Sequence, residues 1–223
     1  MIEAREQEAL NAYLNLLQKK GATNEYLKKR ADLLTKLAKL IQGKANDGYM
    51  YRDALEAVLE KLDRKDWPEF IAMARDYYHF WIKDIKAIAA LNSESAFDIE
   101  PIKWQPLETN LKVLWNMLDK EKFSTSETWP LKAYTLALRQ EGAAQTLVDT
   151  RVKLVKLLLI RLRDAPERNH RIYRIAVDCT VPLFTLQDTR RLFLVVVREF
   201  YYFWAGDPDA AKYILRETTG QYV

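Results

Sequence analysis

The chain has 223 residues, 49% hydrophobic and 30% charged, with a formal net charge of +4. That is the balance of a globular protein with enough length for one large domain or two small ones, and it excludes a disordered chain. Six Gly, seven Pro and one Cys argue for long helices joined by short turns, and exclude an internal disulfide or a multi-cysteine metal site.

Residues 3–20 are expected to form the first helix, with Ala9, Tyr13, Leu16 and Leu17 on one face and Gly21 as its stop. Thr23 or Asn24 caps a second helix, whose apolar stripe is Tyr26, Leu27, Leu33, Leu34, Leu37, Leu40 and Ile41. Its other face carries Lys28, Lys29, Asp32, Lys36 and Lys39. A third helix is expected over 51–62. A fourth follows an Asp66/Glu69 capping box, with Pro68 in its first turn, and carries the run Tyr77-Tyr78-His79-Phe80-Trp81 toward Leu91.

After Pro101 and Pro106, residues 107–119 predict one amphipathic helix with Leu111, Leu114, Trp115 and Leu118 on its apolar side. The next helix begins at Trp129-Pro130, with the proline early in it. Residues 145–163 form a helix apolar on most sides, which places it between two halves of the molecule or in a homodimer contact. A helix over 171–181 ends at Pro182. Another runs from Asp188 to Trp204 and stops at Gly206, and Asp207-Pro208 caps a last one over 209–217.

These elements recur in order. Leu10, Tyr13, Leu17, Gly21-Ala22, Arg30, Leu33 and Leu37 align without a gap on Leu131, Tyr134, Leu138, Gly142-Ala143, Arg151, Leu154 and Leu158. One-residue slips in loops bring Tyr51-Arg52 onto Tyr173-Arg174, and Arg75 to Trp81 onto Arg198 to Trp204. The expected architecture is therefore all-α: a tandem duplication of a four-helix unit, over 1–92 and 128–223, joined by a connector over 93–127 containing one amphipathic helix. The two copies can equally pack as one pseudo-symmetric domain.

The doubled aromatic cluster reads as helical core rather than as a stacking platform, with the Tyr78 and Tyr201 hydroxyls placed to meet Arg30 and Arg151. His79 and His170 are the only histidines and have no partner at ligand spacing, so no metal is expected. Cys179 lacks a poised His, and no glycine-rich phosphate loop is present. The expectation is no catalytic residue, no cofactor and no enzyme activity.

What remains is charge. Basic residues concentrate over 19–44 and 151–191, and the segment 92–128 between them leans acidic. Lys28, Lys29, Lys36 and Lys39 share a helix face. Arg168, Arg171 and Arg174 cluster at a loop and helix start. Arg190 and Arg191 sit in a helix's first turn, where cations oppose the macrodipole. Phosphate contact would account for all nine. No signal peptide is read in residues 1–10, and the apolar runs at 157–160 and 192–197 are too short to span a bilayer. The expected location is cytoplasmic, with no membrane partner.

The order Tyr13-Leu14-x-x-Leu17, Gly21-Ala22-Thr23-Asn24, Tyr26, Arg30, Leu33, Leu37, then Asp53-Ala54-Leu55 to Tyr78-x-Phe80-Trp81, resembles the N-terminal core-binding (SAM-like) domain of tyrosine recombinases and phage integrases. The resemblance covers about residues 5–90, and more faintly 127–206. It implies a helical DNA clamp with Lys28, Lys29, Lys36 and Lys39 as contacts. The family's catalytic domain has no counterpart: His170-Arg171-Ile172-Tyr173 does not match its His-x-x-Arg. The expectation is a non-catalytic DNA-binding protein. The alternative is a helical protein-interaction or assembly module, as a homodimer or with another protein, without nucleic-acid affinity.

Overall fold

A computed structural model describes residues 2–93, 111–163, 165 and 168–214. Among these residues the chain is all-α, with ten α-helices, three short 3-10 turns and no strand. It divides into two compact units, Met1–Lys103 and Trp104–Val223. No helix among the described residues is long and apolar enough to cross a membrane.

The first unit contains α1 (Ala4–Lys19), α2 (Asn24–Ile41), α3 (Gly48–Leu59), α4 (Trp67–Trp81) and α5 (Ile85–Ser93). Thr23 caps α2, its hydroxyl accepting from the Tyr26 amide, and Asp47 starts α3 by accepting from the Tyr49 amide. The Asp66/Glu69 capping box does not form. Asp66 ends a 3-10 turn in helical geometry and makes no side-chain cap, while Glu69 accepts from Lys29 of α2 at 2.6 Å. Nor does α4 continue to Leu91. It closes at Trp81, Lys83 takes a left-handed φ of 58°, and Asp84 begins α5 by accepting from the Ala87 amide.

The second unit contains α6 (Leu111–Leu118), α7 (Thr125–Gln140), α8 (Gln145–Arg163), α9 (His170–Thr180) and α10 (Gln187–Ala205). The start of α7 precedes Trp129-Pro130. A Ser124/Glu127 capping box nucleates it four residues earlier, leaving Pro130 inside the helix. Expected residues 107–110 and 215–217 of two helices lie outside the described residues. What is described of the last is a 3-10 turn, Ala210–Tyr213. Gly206 ends α10 at φ 79°, with open space where a Cβ would stand. Gly206→Ala should therefore cost about 1–2 kcal/mol from left-handed backbone alone, read by chemical denaturation.

The same inner contacts recur in both units. In the first, Tyr13 of α1 lies edge-on to Phe80 at 5.4 Å, and the Tyr51 ring of α3 meets Trp81 at 5.3 Å. In the second, Tyr134 lies edge-on to Phe203 at 5.3 Å, and Tyr173 meets Trp204 at 5.0 Å. Tyr51 donates to the Ala74 carbonyl and Tyr173 to the Val197 carbonyl. The aromatic clusters are core: Tyr77, Trp81, Phe70, Phe193 and Phe200 are fully buried. Each unit thus closes on four helices, with α1, α2, α3 packed on α4 and α7, α8, α9 on α10.

A buried arginine crosses each core. Arg30 donates to the Tyr13 hydroxyl at 2.6 Å. Arg151 donates to the Tyr134 hydroxyl at 3.3 Å and to the Glu199 carboxylate, which also accepts from Tyr134 at 2.7 Å. The expected partners Tyr78 and Tyr201 instead face Tyr51 and Tyr173. Burial, with the Glu199 charge second, pushes the Tyr134 hydroxyl far above its ordinary range, so it stays a donor to the carboxylate.

The wide apolar girth of α8 has its cover inside its own unit. Besides α7, α9 and α10, α8 packs against α6, whose Leu114 and Leu118 are buried. Leu154, Val155, Leu157, Leu158 and Leu159 are accordingly all buried.

Candidate nucleic-acid interface

Helix α2 buries Leu34, Leu37, Ala38 and Ile41 and turns Lys28, Lys36 and Lys39 outward. Positions eight and eleven apart return to one side of a 3.6-residue helix, so the three ammonium groups line a stripe about 16 Å long. All three are exposed, and among the described residues none has an ion-pair partner. Asp32, also exposed, lies between Lys28 and Lys36 and lowers the local charge by one. Lys29 points to the flank and is held by Glu69 at 2.6 Å. Lys39 also occupies the last turn of α2, where a cation suits the helix dipole. No large apolar side chain is exposed on α2.

The second-unit candidates do not form such a stripe. Arg190 is 5% exposed, and its guanidinium donates to the carbonyls of Phe184 and Thr185. It satisfies carbonyls of the loop before α10. This is why a cation stands where the helix dipole disfavours one: the loop carbonyls outweigh the dipole. Arg168 lies over the Trp204 ring at 4.9 Å and donates to the Trp204 carbonyl near the end of α10. Arg171 and Arg191 are half-buried, and neither is without a partner. Arg174 alone of the five is exposed on its helix with no partner among the described residues.

The second unit also has a cleft of about 590 Å³ whose lining includes Phe123, Ser124, Glu127, Leu162, Arg163 and Trp204. Two of its charges, Glu127 and Arg163, pair with each other. Arg163 donates to Glu127 at 2.9 Å and to Glu121 at 2.5 Å. The hydrogen bonds from Arg163 and the Ser124 amide hold the Glu127 carboxyl below its usual range against partial burial. In the first unit the matching acid, Glu6, is fully buried and accepts from the Trp81 indole at 3.2 Å.

Cys179 is a free thiol, pushed up to about 11 by burial. Its neighbour Arg161 donates to the Cys179 carbonyl. Such a thiol is a poor nucleophile at neutral pH. His79 faces Asp84 at 3.8 Å. Among the described residues, no group of three His, Cys, Asp or Glu side chains is placed to hold a metal ion.

Comparison with protein-family models, curated proteins and solved structures finds no match for this chain.

Proposed function

We propose that this chain is a non-catalytic DNA-binding protein that contacts phosphates through the outward face of α2, and that its two units are tandem copies of one four-helix design. The observation that carries the first statement is the exposed, unpaired stripe Lys28, Lys36 and Lys39. Protein partners need desolvated apolar anchors, which this face lacks. Phosphates need only mobile cations, which it supplies. The matched pairs Tyr13–Arg30 and Tyr134–Arg151, and Tyr51–Trp81 and Tyr173–Trp204, support the second statement, because each pair sits at the same place in the aligned order. A cytoplasmic setting suits the single free thiol.

The test is an anisotropy titration of a labelled DNA with the full chain. Binding at low salt that weakens at least tenfold as salt rises about fourfold is expected for some three neutralised phosphates. No binding at low salt would reject the reading.

A second reading, assembly through the second unit, is favoured by Trp129 and Leu136, which are 69% and 57% exposed one heptad apart on α7. At the aligned positions α1 carries Glu8 and Asn15. Light scattering that finds a stable dimer lost in Trp129→Glu, with no DNA affinity, would replace the first reading by this one.

A further inference from the structure

We infer that the phosphate contact is confined to the first unit and takes the backbone of a nucleic-acid duplex without regard to its base sequence. This rests on the reading of the α2 face given above, and two independent features carry it further.

The first is an asymmetry between the buried arginines' helices. Counting from Arg30, the outward lysines stand two residues before it, six after it and nine after it. Counting likewise from Arg151 on α8 gives Asp149, Leu157 and Ile160, of which Leu157 is fully buried. Helices α7, α9 and α10 surround α8 as α1, α3 and α4 surround α2, and those three leave Lys36 exposed. The additional neighbour in the second unit is α6. At the position matching the exposed Lys36, Leu157 of α8 is fully buried. The second unit's candidate arginines offer no such stripe, because Arg168 and Arg190 serve carbonyls of their own unit and Arg174 alone is exposed without a partner among the described residues.

The second feature is the direction of the rings. Recognition of unpaired bases uses exposed aromatic faces. In the first unit Tyr13, Tyr77 and Trp81 are fully buried, and the exposed Tyr49 of α3 lies against the Arg52 guanidinium at 5.2 Å. Tyr26, the aromatic residue of α2, lies against the Arg30 guanidinium at 4.4 Å. The lysine stripe therefore has charge and no stacking platform. Lysines also lack the planar fork that reads a guanine edge. Charge strung along one helix face, with nothing to read or stack on, suits the phosphates of a duplex.

Anisotropy of the full chain with two labelled duplexes of unrelated sequence, and with a single strand of the same length, tests this. The duplexes should bind within about twofold of each other and more tightly than the single strand, whose lower charge density releases fewer ions. The logarithmic salt slope on duplex should be about 2.7, and each of Lys28→Gln, Lys36→Gln and Lys39→Gln should lower it by about 0.9, while Arg174→Gln leaves it unchanged. Tighter binding to the single strand, or a slope lowered by Arg174→Gln as by Lys36→Gln, overturns this inference and leaves the DNA-binding reading standing. Absence of salt-sensitive binding to all three probes overturns the reading beneath it.

Discussion

Glu199→Ala is expected to lower the stability of the second unit by about 3–5 kcal/mol, read as a fall in the denaturant midpoint at unchanged slope. Glu199 is 1% exposed and Arg151 2%. The carboxylate is the anion that Arg151 and the Tyr134 hydroxyl share. Its removal takes from the buried Arg151 guanidinium the anion it shares with the Tyr134 hydroxyl, and losing that charge-assisted contact in the core dominates the cost. The effect is therefore asymmetric. Replacing both ions together, Arg151→Met with Glu199→Leu, removes the buried charge along with its partner and should recover most of the loss. A single-variant cost below about 1 kcal/mol would mean that water reaches the pair, contrary to its burial.

Leu157→Lys carries the second large effect, about 4 kcal/mol or more, because it places an ammonium at a fully buried position of α8. The reciprocal change, Lys36→Leu on α2, should alter stability by no more than about 0.5 kcal/mol, since that side chain is exposed. Thermal or chemical denaturation of the two variants compares the same helical position in two environments. Tolerance of Leu157→Lys would show that this side of α8 is accessible to water. A large loss in Lys36→Leu would show that the α2 face is already occupied.

How far the sequence carries can be judged on particular residues. Helix α8 was legible at both ends, Gln145 and Arg163, because Gly142 breaks the preceding helix and a long apolar run follows. Its burial was legible from its apolar girth, but the covering element was not. Such a pattern says that a face is covered, not by what, and α6 lies in a stretch read as a connector. The two capping signals show the limit of local motifs. Asp66/Glu69 and Ser124/Glu127 have the same spacing, yet only the second forms. Glu69 is drawn to Lys29, forty residues away, and no local pattern encodes that competition. The Ser124 signal was present, but the Trp129-Pro130 pair concealed it. A proline six positions into a helix removes one backbone hydrogen bond, which packing of Pro130 and Leu131 offsets.

The candidate site divides the same way. Exposure of Lys28, Lys36 and Lys39 follows from a 3.6-residue period set against a clear apolar stripe, so it was readable. The fates of Lys29, Arg168 and Arg190 depend on Glu69, the Trp204 carbonyl and the Phe184 and Thr185 carbonyls, which are tertiary or loop partners. Side chains of the same charge are therefore engaged at Lys29, Arg168 and Arg190 and solvent-facing at Lys28, Lys36, Lys39 and Arg174.

Lysine footprinting by acetylation and mass spectrometry, with the full chain free and saturated with duplex DNA at low salt, tests the central claim most directly. Lys28, Lys36 and Lys39 should lose reactivity on binding, while exposed Lys132 and Lys153 of the second unit keep theirs. Protection confined to the second unit, or no change at Lys36 under saturating DNA, would contradict the assignment of the interface to α2.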